Sequence, residues 1–262
     1  TASDMVQGEL AQNIFANDNN VIIVNPSKTA LQYTINVLYD VETSATVKIA
    51  ANENVLKSMR GMFILSSKLS ELVSNNQVEL NQLTSDVTGC FVGINEEQMN
   101  SIIDFDGDIL LTDTEEYPST MENSIDEVWD ASESYSLRAP PLREIYDSME
   151  SELGEEVARD YEFVLSSVPD VQDEFDEVAA AILVASNHDI LLYDVSKWGE
   201  DCGLASKATF SRTKTTLESN GYVKTEKVPI DVGRLRLRLQ LTENMFEEDY
   251  DSKIISQVQQ TL

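Results

Sequence analysis

Hydrophobic residues in the first 112 positions alternate between strand-like and helix-like spacing. A continuous apolar run at 21–24 predicts a strand that is buried on both faces, and apolar positions three and four residues apart predict a helix over 28–39. A second strand is predicted at 46–50, followed by one long helix whose apolar face spans 56–72. This order predicts an α/β domain over 1–112, with a sheet of mixed pairing that is completed by shorter strands at 77–80, 90–94, 99–105 and 109–111.

The pattern becomes polar after residue 112. Residues 113–133 contain eight acidic side chains and no basic one, and Ala139-Pro140-Pro141 stops any helix that precedes it. We interpret 113–141 as an acidic linker that separates two domains. The same residues are also compatible with a second arrangement, in which the acidic segment packs as a lid on the first domain.

The chain becomes helical again from residue 142. Three helices are predicted at 142–153, 155–168 and 173–187, the first of them ended by Gly154. A C-terminal helix is predicted at 246–262, because apolar residues recur there every fourth position, at Tyr250, Ile254, Val258 and Leu262. An apolar ridge of this kind needs a partner, in the same chain or in another.

A two-helix unit followed by a two-stranded ribbon is predicted within 193–241. The first helix covers 193–199, Gly203 supplies the turn, and Ser206 is placed to cap the second helix, which ends at Asn220-Gly221. In the returning strand of the ribbon, leucines alternate with arginines, which predicts leucines inside and arginines outside. This is the plan of a winged helix-turn-helix, which reads duplex DNA, and we assign it with the preceding helices to a domain over 142–245.

The second helix of this unit is the candidate recognition helix. Phe210 and Leu217 lie seven residues apart and predict its core face, so the opposite face is free to meet DNA. Arg212 on that face can form a bidentate contact with guanine, and arginines on the wing suit phosphate or minor-groove contacts. The candidate DNA-binding residues are Ser206, Lys207, Thr209, Ser211, Arg212, Thr215, Thr216, Lys224, Arg234, Arg236 and Arg238.

Charge singles out the same segment. The 262 residues carry a formal net charge of -29, whereas residues 197–238 sum to +4 and the remainder of the chain to -33. A basic island on so acidic a body indicates a polyanionic partner at that one place. Acidity spread over both halves is typical of a salt-accumulating archaeon, the alternative being an ordinary acidic protein.

Other chemistry is sparse in the sequence. No phosphate-binding loop, zinc-protease motif or nucleophile elbow occurs, so we expect no catalysis, no cofactor and no metal. One weak candidate ligand site is Asn25, Ser27 and Lys28, at the end of a buried strand and the start of a helix. Two widely spaced cysteines, and the lack of an apolar run long enough to span a membrane, favour a cytoplasmic location.

Three segments resemble one family. The residues VSKWGED from Val195, ASKATFSRTK from Ala205 and EKVPIDVGR from Glu226 are similar to the TbsP-type transcription regulators of haloarchaea, as are the helices that begin at Pro141. The resemblance is strong over about 140–242 and weaker before it. It implies a winged-helix transcription regulator from a halophile, but it does not say which residues touch bases.

We therefore expect a sequence-specific transcription regulator that binds double-stranded promoter DNA as a homodimer. Its recognition helix would enter the major groove, its arginine-rich wing would contact the backbone or the minor groove, and its first domain would sense a small-molecule effector or mediate dimerisation. The alternative is an adaptor that docks proteins of the transcription machinery and has no operator of its own.

Overall fold

The structure is a computed structural model that describes residues 14–15, 19–41, 43–95, 98–105, 108–114, 119–167, 176–229 and 235–242. Its internal contacts divide the chain into two compact units, one formed by 1–60 with 65–138 and the other by 61–64 with 139–262. The first is an α/β unit with a mixed sheet, and the second is a helical unit that ends in a winged helix-turn-helix, as the sequence predicts.

The first unit is built on a seven-stranded sheet in the order β6-β5-β4-β1-β2-β3-β7. Strands β1, β2 and β3 are parallel, and the other pairings are antiparallel. Parallel neighbours require a crossover, which helices supply here. The strands are β1 (Asn20–Val24), β2 (Thr46–Ala51), β3 (Val78–Gln82), β4 (Cys90–Ile94), β5 (Gln98–Phe105), β6 (Asp108–Thr114) and β7 (Glu133–Ser134).

The crossover from β1 to β2 is helix α1 (Lys28–Asp40). The hydroxyl of Ser27 caps it by accepting the N–H of Ala30 at 3.1 Å. The ammonium of Lys68, in the next crossover, donates to the Asn36 side chain at 3.2 Å, so a nearly buried charge keeps a polar partner. The buried centre of the unit is apolar and includes Ile23, Leu31, Ile35, Ile49, Leu65 and Leu69.

The single long helix that we predict after β2 is wrong. The structure divides it into α2 (Glu53–Ser58), a 3-10 turn (Met59–Gly61) and α3 (Phe63–Ser74). Glycine is a poor helix former, and the Ser66 hydroxyl donates to the Met59 carbonyl at 2.5 Å, which satisfies one of the carbonyls released at the break. Apolar spacing alone does not detect such an interruption, because both pieces keep the same buried face.

The described part of the acidic segment is not a linker. It contains helix α4 (Ser119–Ala131) and strand β7, which pairs with β3. Ile125 is 6% exposed and packs with Val24, Ala50 and Leu83 of the first unit, together with the partly buried Val128 and Trp129. Burial of the apolar stripe of this otherwise acidic helix against the sheet stabilises the fold, whereas a solvated linker would leave the same side chains in water.

The second unit begins with three helices, α5 (Leu142–Leu153), α6 (Glu155–Ser166) and α7 (Glu177–Asn187). Gly154 ends α5 with a φ of 112°, a conformation that side chains with a Cβ rarely adopt. Every residue from Val178 to Ser186 is buried, so α7 is the central helix around which the unit packs.

Helix α8 (Leu192–Asp201) and helix α9 (Lys207–Ser219) form the helix-turn-helix, and strands β8 (Val223–Val228) and β9 (Arg236–Leu241) form the wing. The wing is hydrogen-bonded to the turn between α7 and α8, because the Leu239 N–H donates to the Ile190 carbonyl at 2.9 Å. Among the helices in the described part of the chain, none is long and apolar enough to cross a membrane.

Candidate nucleic-acid interface

Helix α9 is held on the second unit by a small apolar core. Phe210 and Leu217 are fully buried, as the sequence predicts. The ring of Phe210 lies against Gly199 of α8, so closely that a Cβ on Gly199 would come within 2.2 Å of it. On α8 the buried Trp198 donates its indole N–H to the Ser148 hydroxyl at 3.0 Å and meets the ring of Tyr161 edge-on at 5.9 Å. Helix α9 and its neighbour α8 therefore rest on buried aromatic side chains.

Two of the candidate DNA-binding residues take part in capping α9. The Ser206 hydroxyl accepts the N–H of Thr209 at 3.2 Å, and the two hydroxyls are 3.0 Å apart. Ser206 is thus the N-cap that the sequence predicts, and Thr209 is half-buried beside it. Their first role is to begin the helix, since the Ser206 oxygen accepts a backbone N–H and the two hydroxyls are bonded to each other.

The exposed face of α9 carries the remaining candidates. Lys207, Ser211, Arg212, Thr215 and Thr216 are all exposed, and Ala208 lies among them. The hydroxyls of the two threonines donate back to the Ser211 carbonyl at 2.9 Å and the Arg212 carbonyl at 3.3 Å. Within the described part of the chain no partner is assigned to the Arg212 guanidinium. Short polar side chains and one exposed arginine therefore share this face of α9.

Lys207 is less free than its position suggests. Its ammonium contacts the Glu200 carboxylate of α8 at 2.5 Å, and its backbone N–H also points to that carboxylate at 3.4 Å. The hydrogen bond from Lys207 is the largest cause that holds the pKa of Glu200 below its ordinary value, and the same bond raises the pKa of Lys207. The pair spans seven residues across the turn, a distance that helical periodicity does not reveal.

The wing arginines also have partners. The Arg236 guanidinium lies 3.4 Å from the ring centroid of Tyr193, stacked on α8. Arg238 lies 3.9 Å from Glu226, its direct neighbour across the ribbon. Both arginines are half-buried, and Arg234 lies outside the described residues. The wing thus presents arginines that are already oriented by the protein.

The predicted burial of the wing leucines is only partly right. Leu239 and Leu241 are buried, but Leu237 is half-buried and Leu235 is 57% exposed. The Leu239 N–H donates to the Ile190 carbonyl in the turn between α7 and α8, so the buried leucines lie at the end of β9 that is next to the helices. The alternation of residues decides to which face of the strand a side chain points, whereas its burial also requires another element that packs against that face.

A link between α9 and the wing was not predicted from the sequence. Glu218 of α9 accepts from Lys214 at 2.8 Å and from the Thr225 hydroxyl of β8 at 2.8 Å. These bonds, led by the one from Lys214, lower the pKa of Glu218. The four-residue spacing of Lys214 and Glu218 predicts their ion pair, whereas nothing in the sequence predicts the bond between Glu218 and Thr225. The bond to Thr225 links α9 to the wing.

Two lysines complete the exposed positive charge of the wing. Lys224, a candidate, and Lys227, which we did not select from the sequence, are both exposed on β8. In the residues described, no partner is assigned to either ammonium. They occupy opposite faces of the strand, because they are three residues apart.

The weak ligand site in the first unit is a well-bonded turn. The Asn25 amide donates to the carbonyls of Val87 at 2.7 Å and Gly89 at 3.1 Å, and the Ser27 hydroxyl caps α1. Lys28 begins that helix and is half-buried. These contacts account for the turn by structure alone, and ligand binding there stays a prediction.

Two family models match the chain. Residues 2–140 match a model described as Transcriptional regulator TbsP-like, N-terminal, and residues 141–259 match one described as Transcriptional regulator TbsP-like, C-terminal HTH domain. No curated protein matches the chain. A solved structure titled as that of TrmBL2, an archaeal chromatin protein with a novel mode of DNA binding, has a TM-score of 0.36 and 12% identity over 51% of this chain.

The chain spans about half of that chromatin protein, 52% of its length, and the similarity is too low to support an argument about function. The family models, in contrast, meet at residues 140 and 141, next to the division between the two units, and together cover nearly the whole chain. The exposed face of α9, its anchored base and the matched helix-turn-helix model agree with one another, and the chain belongs to the family of TbsP-like transcriptional regulators, which bind DNA.

Proposed function

We propose that this regulator is sequence-specific and reads its site through helix α9 in the major groove. The observation that carries the proposal is Arg212, exposed at the centre of the polar face and free of any assigned partner in the described residues. A bidentate arginine contact to guanine is the commonest specific contact in the major groove. The small side chains around it, Ser211, Thr215 and Thr216, allow the helix to approach the base edges.

The wing contacts the sugar-phosphate backbone or the adjacent minor groove in this proposal. Lys224 and Lys227 are exposed and make no ion pair within the described residues, and Arg236 and Arg238 are held in place by Tyr193 and Glu226. Phosphate contacts fix the register of a protein on DNA, while contacts to base edges give specificity. Arg234 belongs to the same proposal through its position in the sequence.

We infer in addition that the protein works in a halophilic archaeon. The net charge of -29 on 262 residues is the supporting observation. In molar salt the screening length is about 3 Å, so carboxylates on such a surface no longer repel one another strongly. An acidic body then costs the fold little and keeps the surface hydrated.

Binding to the specific site is expected to depend only weakly on salt. Each phosphate that a lysine or arginine of the wing neutralises steepens the slope of log affinity against log salt by about 0.9. Screening of the repulsion between DNA and the acidic body acts in the opposite direction and makes the slope shallower. The measurement is fluorescence anisotropy on one promoter fragment between about 0.2 and 2 M KCl, where screening lengths fall from about 7 to 2 Å.

A scrambled fragment of the same length is the control, and circular dichroism follows folding at each salt concentration. Preference for the promoter fragment supports the sequence-specific regulator. Equal binding to both fragments, or a slope near -10 from a protein that stays folded, would contradict it. Failure to bind either fragment would favour the alternative of an adaptor that docks other proteins.

The regulator is further expected to act as a dimer on a two-fold symmetric site. A single winged helix covers little DNA, and two-fold sites with half-sites one helical turn apart match a dimer. The apolar positions Tyr250, Ile254 and Val258, outside the described residues, are the proposed contact surface. Light scattering in molar KCl tests this, and a monomer at micromolar concentration, with and without DNA, would contradict it.

The first unit remains the proposed place for a sensor or for additional dimer contacts. The sequence predicts that a small-molecule effector binds there at Asn25, Ser27 and Lys28. The contacts of Asn25 and Ser27 in the structure add no support to this prediction.

A further inference from the structure

The carboxylate of Glu200 lies beside the N-terminal end of α9. Glu200 itself belongs to the last turn of α8, and its carboxylate reaches across the turn between the two helices to Lys207, the first residue of α9. One carboxylate oxygen contacts the ammonium at 2.5 Å, and the other faces the backbone N–H of the same residue at 3.4 Å. An anion is therefore already present where α9 begins.

The position is one that a DNA phosphate would take. Helix N-termini carry unpaired N–H groups and a partial positive charge, and they commonly contact the phosphates of DNA. A lysine in the first turn adds a full charge at the same point. The two carboxylate oxygens of Glu200 contact the backbone N–H and the ammonium of Lys207, as two oxygens of a phosphate would.

We propose that Glu200 is an intramolecular substitute for a DNA phosphate, and that DNA must displace it from Lys207 in order to bind. Glu200 is then a positioning residue that sets the affinity for DNA and its response to salt. This inference rests on the proposed function, since it requires that α9 be the helix presented to DNA.

A purely structural role does not account for the contact. The turn is already held by backbone bonds from Ala205 to Gly199 at 3.1 Å and from Cys202 to Trp198 at 2.9 Å. Both side chains of the ion pair are 44% exposed, a setting in which such pairs add little stability. The pair costs little to break, which suits a contact that DNA replaces.

Asp201 offers a matched control one residue away. Its carboxylate contacts Lys197 at 2.6 Å, and that lysine belongs to α8 and not to the recognition helix. Glu200→Gln and Asp201→Asn therefore remove the same charge from the same helical turn. Both carboxylates lie at a helix C-terminus, where negative charge is unfavourable, so neither change should destabilise the helix through its dipole.

The experiment measures DNA affinity by fluorescence anisotropy for the wild type, Glu200→Gln, Asp201→Asn, Lys207→Gln and the double variant Glu200→Gln with Lys207→Gln. At the lowest salt at which the protein is folded, Glu200→Gln should gain about two- to fivefold over Asp201→Asn, the range that an exposed ion pair supports. Its salt slope should be steeper by up to about 0.9, the equivalent of one phosphate contact. In the Lys207→Gln variant, the additional change Glu200→Gln should raise the DNA affinity by no more than Asp201→Asn raises it in the wild type.

Equal gains from Glu200→Gln and Asp201→Asn, or a gain from Glu200→Gln that persists without Lys207, would overturn the inference. Both a promoter fragment and a scrambled fragment are used, because a phosphate contact should respond equally on the two. A wild type that binds the fragments equally would remove the sequence-specific function and leave the role of Glu200 measurable. Thermal unfolding of each variant shows whether a lost affinity reflects a lost fold.

Discussion

Arg212→Ala is expected to weaken binding to the specific site by about 1–3 kcal/mol, and binding to random DNA by much less. The guanidinium is exposed on the face of α9 opposite Phe210 and Leu217 and has no assigned partner within the described residues. Its removal therefore breaks no contact of the free protein that the structure records. Nearly all of the loss should appear as lost discrimination between bases, measured by competition between the promoter fragment and its point variants.

Two further variants separate geometry from charge. Arg212→Lys keeps the charge but not the planar fork, so it should lose most of the specificity. Arg159→Ala removes the same charge from α6, where the arginine pairs with Glu155 at 2.7 Å, and should change affinity only through net charge. An equal loss on specific and random DNA for Arg212→Ala would show that the side chain binds phosphate and reads no base.

Gly199→Ala is expected to destabilise the second unit by about 1–3 kcal/mol, the usual cost of an overpacked core. In a helix, glycine to alanine ordinarily stabilises by about 1 kcal/mol, so the expected sign is reversed. The reason is steric, because the new Cβ would lie 2.2 and 2.3 Å from two atoms of the fully buried Phe210 ring. Thermal unfolding followed by circular dichroism should show a fall in melting temperature of roughly 2–8 °C for each kcal/mol, the range for domains between small and medium size.

The collision can be relieved at its other partner. Phe210→Leu removes the ring atoms that Gly199→Ala would meet, so the two changes together should cost less than their sum. Gly221→Ala is the control, since nothing lies within 4 Å of its added Cβ and only its φ of 77° opposes the change. An unchanged or higher melting temperature for Gly199→Ala would mean that α8 and α9 separate easily, and the rigid base of the recognition helix would have to be abandoned.

Local signals in the sequence determined the elements of the second unit well. Ser206 caps α9, Gly154 ends α5, and Gly203 has a φ of 81° in the turn. Each of these features depends on the conformation of one residue and on bonds to residues three or four positions away. The alternation of strands and helices in the first unit, and its mixed sheet, were predictable for the same reason, because period and turn chemistry act over short distances.

Features that depend on what packs against a segment could not be predicted from the sequence. The predicted long helix breaks at Gly61, and the acidic segment that we read as a linker packs Ile125 against the first sheet. Leu235, which precedes β9, is exposed although it continues the alternation of leucines along that strand. In each case the sequence shows which side of an element is apolar, whereas burial is a property of two surfaces that meet.

The sequence alone determined the kind of protein, because a basic island, two short helices joined at a glycine and a returning strand can each be recognised from residues close together in the chain. Only the tertiary structure decided the state of the charges on that surface. Lys207 is held by Glu200, Arg236 by Tyr193 and Lys214 by Glu218 together with Thr225. Most of these pairs join different elements, and charges interact according to their distance in space, which separation along the chain does not measure.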